Sequence, residues 1–133
     1  MPRPRSEHPT ALELQILKLL WEESPQTARQ IRERLKVHGR ELAHTSVITT
    51  LQTMVDKRQL KQLDPVAGKA FRFAPQLKEE EVSKRMLTDL VDRVFDGSAE
   101  AVMLSLFDVR DLDHDAVKRM RRALNDKIRE QPS

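Results

Sequence analysis

Two helix-start signals stand close together at the beginning of this chain. "TALE" at 10–13 and "TARQ" at 27–30 each set a threonine three residues ahead of a Glu or Gln. In such a box the threonine side chain accepts from the N–H of the third helical residue, and the acid or amide reaches back to the threonine's own N–H. Pro25 lies between the two boxes. The N-terminal part therefore cannot be one long helix; it starts, breaks and starts again. Leu12, Ile16, Leu19 and Leu20 give the first helix its apolar spacing, and Trp21 closes that run. Ile31 and Leu35, joined by Ala28 and Val37, stripe the second, which Gly39 ends.

A third helix follows in "LAHTSVITTLQTMVDKRQL", residues 42–60, with Thr45 or Ser46 as its cap and its end near Arg58. Val47, Leu51 and Met54 recur at helical spacing. On the wheel Ser46, Thr49, Thr50, Thr53 and Lys57 fall opposite them, with Ile48 and Gln52 on a shoulder. Threonine is a mediocre helix former because its branched side chain loses rotamer freedom. Exposed faces usually carry Glu, Lys, Arg and Gln, which also form stabilising pairs one turn apart. A face of short hydroxyls suits close approach to another surface. Hydroxyls can bond phosphates and base edges, and threonine methyls can meet thymine methyls.

The period then changes. Phe71 and Phe73 alternate with Ala70, Arg72 and Ala74, and "DPVAG" supplies turn chemistry, so residues 60–75 read as a β-hairpin ended by Pro75. Helix, helix, threonine-rich helix, hairpin is the order of a winged helix-turn-helix. The third helix would enter the major groove. Lys69 at the turn and Arg72 on the hairpin could reach phosphates.

From Lys78 the pattern is helical again. Val82, Met86, Leu87, Leu90, Val91, Val94 and Phe95 form a broad stripe, which "DGS" at 96–98 interrupts. Ser98 caps a short helix through Phe107, and Asp113 opens a last one. Val102, Met103, Leu106 and Phe107 crowd the short helix, while Val117, Met120, Leu124 and Ile128 share one side of the last. A segment this short cannot bury so much apolar surface by itself. An intertwined dimer would cover it, with Val102, Leu106, Val117, Met120, Leu124 and Ile128 in the seam. "KRMRR" at 118–122 reads as a solvated helix face. The expected fold is mainly α with a small β-hairpin. Residues 1–9 form a flexible arm, 10–76 a winged helix and 77–133 a three-helix dimerisation domain.

Charge is divided unevenly. Residues 1–75 hold 13 Lys/Arg against 8 Asp/Glu, or +5, while residues 76–133 hold 11 against 13, or −2. A basic first half points to a polyanionic partner. Cysteine is absent, which excludes disulfides and thiolate metal sites. The four histidines are scattered, and His114 in "DLDHD" reads as a polar helix start. Neither a glycine-rich phosphate loop nor a nucleophile elbow is present. The expectation is a non-enzyme without metal or cofactor. No apolar run approaches the ~20 residues that cross a bilayer, and "MPRPRSEHPT" lacks a signal-peptide core, so membrane insertion is not expected and a cytoplasmic location is.

"LELQILKLLWE" at 12–22, "TARQIRERL" at 27–35, "HTSVITTLQTMVDK" at 44–57, "GKAFRFAP" at 68–75 and "VFDGSAEAVMLSL" at 94–106 together resemble the penicillinase-repressor family, the BlaI/MecI/CopY group of bacterial repressors. The resemblance implies a dimeric winged-helix repressor on a dyad-symmetric double-stranded DNA operator. It places Thr45, Ser46, Thr49 and Thr53 on the recognition helix, beside the Ile48, Thr50 and Lys57 that the wheel adds. It also implies a membrane-bound sensor metalloprotease coupled to a cut within the helix that "VMLSLFDV" resembles, here the Ser105–Leu106 bond. Cleaved members carry Asn–Phe at that place, and the glycine that usually ends the recognition helix is Arg58 here. The copper-responsive branch carries cysteine motifs that this chain lacks.

Two other functions compete. A winged-helix scaffold for protein partners would want aromatic or large apolar anchors on the third helix. A ligand-gated repressor would want an aromatic and polar pocket, yet the chain has one Trp, four Phe and no Tyr.

Overall fold

The computed structural model describes residues 8–132. The arm assigned to residues 1–9 lies, but for His8 and Pro9, outside them. The chain divides between Leu87 and Thr88 into two compact units.

In the first unit, α1 spans Ala11–Glu22 and α2 spans Ala28–Val37. Both capping boxes form. The Glu13 N–H donates to Thr10 Oγ1 at 3.1 Å and the Thr10 N–H to Glu13 Oε1 at 3.0 Å. Gln30 and Thr27 repeat the exchange at 3.2 and 2.8 Å. Thus the sequence signals that divide the N-terminal part are made physically, within four residues each.

Between these helices runs β1, Gln26–Thr27. The hairpin strands are β2, Leu60–Leu63, and β3, Arg72–Pro75. The order is β1-β3-β2, all antiparallel, with Gln26 opposite Phe73 and Leu60 opposite Pro75. The sequence reading has no β1, because two residues offer no alternation to detect. The paired part of the hairpin is shorter at its turn end than expected. Phe71 lies outside the strand and is exposed, while Phe73 and Ala74 are both buried. Phe71 falls before the first paired residue, so no neighbouring strand covers it.

The core joins Ile16, Leu17 and Leu20 of α1 to Ile31 and Leu35 of α2, then to Leu60 and Phe73 of the sheet. Val47, Leu51 and Met54 complete it from α3, which spans His44–Asp56. Each such side chain removed from water contributes roughly 1.5–3 kcal/mol against the entropy of ordering it. Val37 does not join; it is 82% exposed on the last turn of α2, just before the chain turns at Gly39. Trp21 is half-buried, and its indole N–H donates to the Leu77 carbonyl at 2.9 Å.

α4 spans Glu79–Val94, α5 Ala99–Val109 and α6 His114–Glu130. Ser98 accepts from the Ala101 N–H at 3.0 Å and Asp113 from the Ala116 N–H at 2.7 Å, as N-caps do. The fold is mainly α with a small antiparallel sheet, as the patterns predict. No residue of α6 is buried, and Leu106, Leu124 and Ile128 stand exposed. Val102 is an exception to the expected seam: it is already buried in the single chain. Lys118, Arg121, Arg122, Asn125 and Arg129 share an exposed hollow on α6. Among the described residues no helix is long and apolar enough to cross a membrane.

Candidate nucleic-acid interface

The turn between α2 and α3 is braced by side chains from behind. The Arg32 Nε donates to the Leu42 carbonyl at 2.8 Å and the Arg40 Nε to Gln15 Oε1 at 2.7 Å. Gly39, at φ 89°, takes the backbone through the left-handed region where a side chain would be strained. These contacts fix the position from which α3 starts.

α3 begins two residues earlier than a Thr45 cap would allow, and three earlier than a Ser46 cap. Ala43 is the N-cap and makes no side-chain hydrogen bond. Thr45 and Ser46 therefore sit inside the first turn, with hydroxyls that cap nothing. Val47, Leu51 and Met54 are fully buried and fix the rotation of the helix. That rotation leaves Thr45, Ser46, Ile48, Thr49 and Thr53 exposed and Thr50 half-exposed. Thr45, Ser46, Thr49 and Thr50 line one shallow hollow. Only Thr50 of this group turns its hydroxyl inward, donating to the Ser46 carbonyl at 2.9 Å. The result is an uncharged, hydroxyl-rich, sterically low surface. Such a surface can meet base edges and phosphate oxygens closely.

Lys57 is placed differently from the wheel. Its ammonium lies 2.9 Å from Glu13 Oε2, on the far side of the sequence, and Glu13 is 4% exposed. Gln59 Nε2 adds a long contact to Glu13 Oε1 at 3.4 Å. Burial alone would raise the Glu13 carboxyl. The hydrogen bond from Lys57 and the Thr10 N–H, with the lysine's charge and Gln59, outweigh it and hold the pKa below its ordinary value. Lys57 is thus a tether between the end of α3 and the start of α1, which corrects its placement among the free hydroxyls. The signal that could have shown this is faint: Glu13 is fully explained by its own capping box, and nothing in spacing links residues 44 positions apart.

The helix ends as a Schellman motif. The Gln59 N–H reaches the Met54 carbonyl at 2.9 Å and the Arg58 N–H the Val55 carbonyl at 3.0 Å. Arg58 occupies the left-handed position itself, at φ 65°.

At the wing, Lys69 is exposed, and its backbone closes the turn onto the Val66 carbonyl at 3.1 Å. Arg72 is less free than the alternation suggests. It is half-buried, and its guanidinium donates to the Asp64 carbonyl at 3.3 Å where the strands enter the hairpin loop. Gln52 Nε2 donates to Gln62 Oε1 at 3.2 Å, tying α3 to β2.

A helix-turn-helix with a flanking hairpin is now in place, and the penicillinase repressor model matches residues 9–126. The chain belongs to the penicillinase-repressor family. Two strains of Mycobacterium tuberculosis supply relatives named transcriptional regulator BlaI. Each is 32% identical over 114 residues, covering 85% of this chain and 80% of the relative. Membership makes the chain a winged-helix transcriptional regulator of the repressor type. Among solved structures, a complex of hsRosR-SG covers 92% of this chain and 95% of its own, at 21% identity and TM-score 0.49. Halobacterial RosR, "h. salinarum RosR" grown from NaBr, covers 92% and 96%, at 20% identity and TM-score 0.46. Likenesses this remote carry no argument about function.

Proposed function

We propose that this repressor binds a dyad-symmetric operator as a homodimer, with α3 in the major groove of each half-site. The observation that carries this reading is the row of free hydroxyls on α3, exposed by a helix whose opposite face is locked in the core. Thr45, Ser46, Thr49 and Thr53, with Ile48 and Thr50 beside them, read base edges and nearby backbone. Lys69 grips a phosphate from the wing, and Arg72 stiffens the hairpin that carries it. The dimer forms through α5 and α6. Leu106, Val117, Leu124 and Ile128 are between 43% and 67% exposed, more apolar surface than a stable single chain leaves in water. Met120 completes their side of α6.

Repression ends when the dimer is lost. A monomer holds one half-site, and joining two half-site interactions makes the second intramolecular, worth roughly 10²–10⁴ in affinity. A cut at Ser105–Leu106 would remove α6 and end that advantage. The bond lies within α5, so a protease would first have to unwind the helix.

A gel-shift titration tests the reading. Binding should favour one palindrome over random duplex and weaken with salt at a log–log slope of about −0.9 per phosphate contacted. Equal binding to every duplex would overturn it.

A further inference from the structure

α3 itself carries no Lys or Arg, and the first such residue beyond it is Lys57, the cap at its C-terminal end. It stands four residues beyond Thr53, so by helical spacing its charge belongs at the end of the hydroxyl row. The structure sends that charge elsewhere, to Glu13 at 2.9 Å. We propose that Glu13 is a positioning residue for sequence reading: it holds the lysine that caps the recognition helix away from DNA, so that the hydroxyl row of α3 meets the duplex without that charge. This rests on the operator reading above and says which groups that interface leaves out.

Three features make the hold strong. The Glu13 side chain is 5% exposed, so the carboxylate cannot follow the lysine out to solvent. Its other donors, the Thr10 N–H at 3.0 Å and Gln59 Nε2 at 3.4 Å, pin it from two sides. Moving the ammonium to a phosphate would leave a buried carboxylate without its counter-charge, a larger penalty than an exposed lysine–phosphate pair can offset. The consequence for recognition is direct. A lysine on phosphate strengthens binding to every sequence alike, whereas hydroxyls at base edges distinguish one sequence from another. Neutralising Lys57 lowers the indiscriminate part of the affinity and leaves the discriminating part.

The test measures binding to the preferred palindrome and to random duplex between 50 and 200 mM salt. It compares wild type, Glu13→Gln and Lys57→Gln, each confirmed folded by far-UV circular dichroism. Glu13→Gln should free the lysine. Its log–log slope on random duplex should steepen by about 0.9, its affinity should fall about threefold further than wild type's across that range, and its preference for the palindrome should narrow. Lys57→Gln should keep the wild-type slope, since it removes a charge that never reached DNA. A slope shallower by about 0.9 in Lys57→Gln, or an unchanged slope in folded Glu13→Gln, overturns the proposal. If Glu13→Gln does not fold, Lys57→Gln decides alone, because its glutamine can still donate to Glu13. Wild type without any palindrome preference would instead remove the operator reading, a result neither variant's slope can imitate.

Discussion

A left-handed arginine ends the recognition helix. Glycine reaches φ near +60° without steric cost, whereas a residue with a Cβ pays about 1–2 kcal/mol there. Arg58→Gly should therefore stabilise the folded chain by about 0.5–1 kcal/mol after the greater freedom of glycine in the unfolded chain is counted. Urea denaturation checks this as a raised midpoint at unchanged slope; a lowered midpoint would mean Arg58 makes a compensating contact. Glu13 gives a second single-residue prediction. Its pKa is depressed in the folded protein, so its stabilisation is fully present above the ordinary value of 4.5 and is lost as pH falls through the lower folded value. Thermal midpoints should thus decline on acidification below about pH 4.5, and Glu13→Gln should flatten that decline. A wild-type and variant acid limb of equal steepness would show that other carboxylates dominate. These two residues also mark the limit of reading from sequence. The Arg58 anomaly is visible as a missing glycine, because helix ends obey local rules. The Glu13–Lys57 pair is invisible, because each residue already has an adequate local explanation and only tertiary packing brings them together.

The same divide runs through the elements. The capping boxes, the buried stripe of α3 and the Ser98 and Asp113 caps are legible because each is settled within about one helical turn. β1 is not, since its two residues become a strand only when β3 lies beside them. The start of α3 lies two or three residues before the expected cap because its actual cap, Ala43, has no polar side chain to announce it. That small error changes chemistry: it turns Thr45 and Ser46 from caps into free hydroxyls. The expected division of labour between α3 and the wing follows. Thr49→Ala or Thr53→Ala should lose roughly 1–3 kcal/mol of discrimination at particular base pairs and little affinity for random duplex. Lys69→Ala should weaken all sequences alike and reduce the salt slope by about 0.9. Binding measured against a set of single-base operator variants separates the two. Altered base preference in Lys69→Ala, with none in the threonine variants, would reverse the roles.

At the scale of the whole molecule, the chain carries two kinds of surface that a single copy does not use. The α3 face is polar, and water satisfies it until DNA replaces the water. The α5 and α6 faces are apolar, and water does not satisfy them; Phe107, Val109 and Ile128 are more than half exposed. Only the second kind drives association without a ligand, which is why the dimer should exist before DNA is bound. Leu124 lies on the same side of α6 as Val117 and Ile128, and is 45% exposed. Leu124→Asp would place an unpaired carboxylate in the proposed seam, which is strongly unfavourable there but harmless on an open surface. The variant should sediment as a monomer, keep its helix content and lose roughly 10²–10⁴ in affinity for the palindrome while its binding to an isolated half-site stays unchanged. Measuring half-site and palindrome together matters, because a misfolded protein would lose both. A Leu124→Asp protein that remains dimeric would place the seam on another face, and a monomer that still binds the palindrome tightly would show that occupancy does not depend on the C-terminal helices at all.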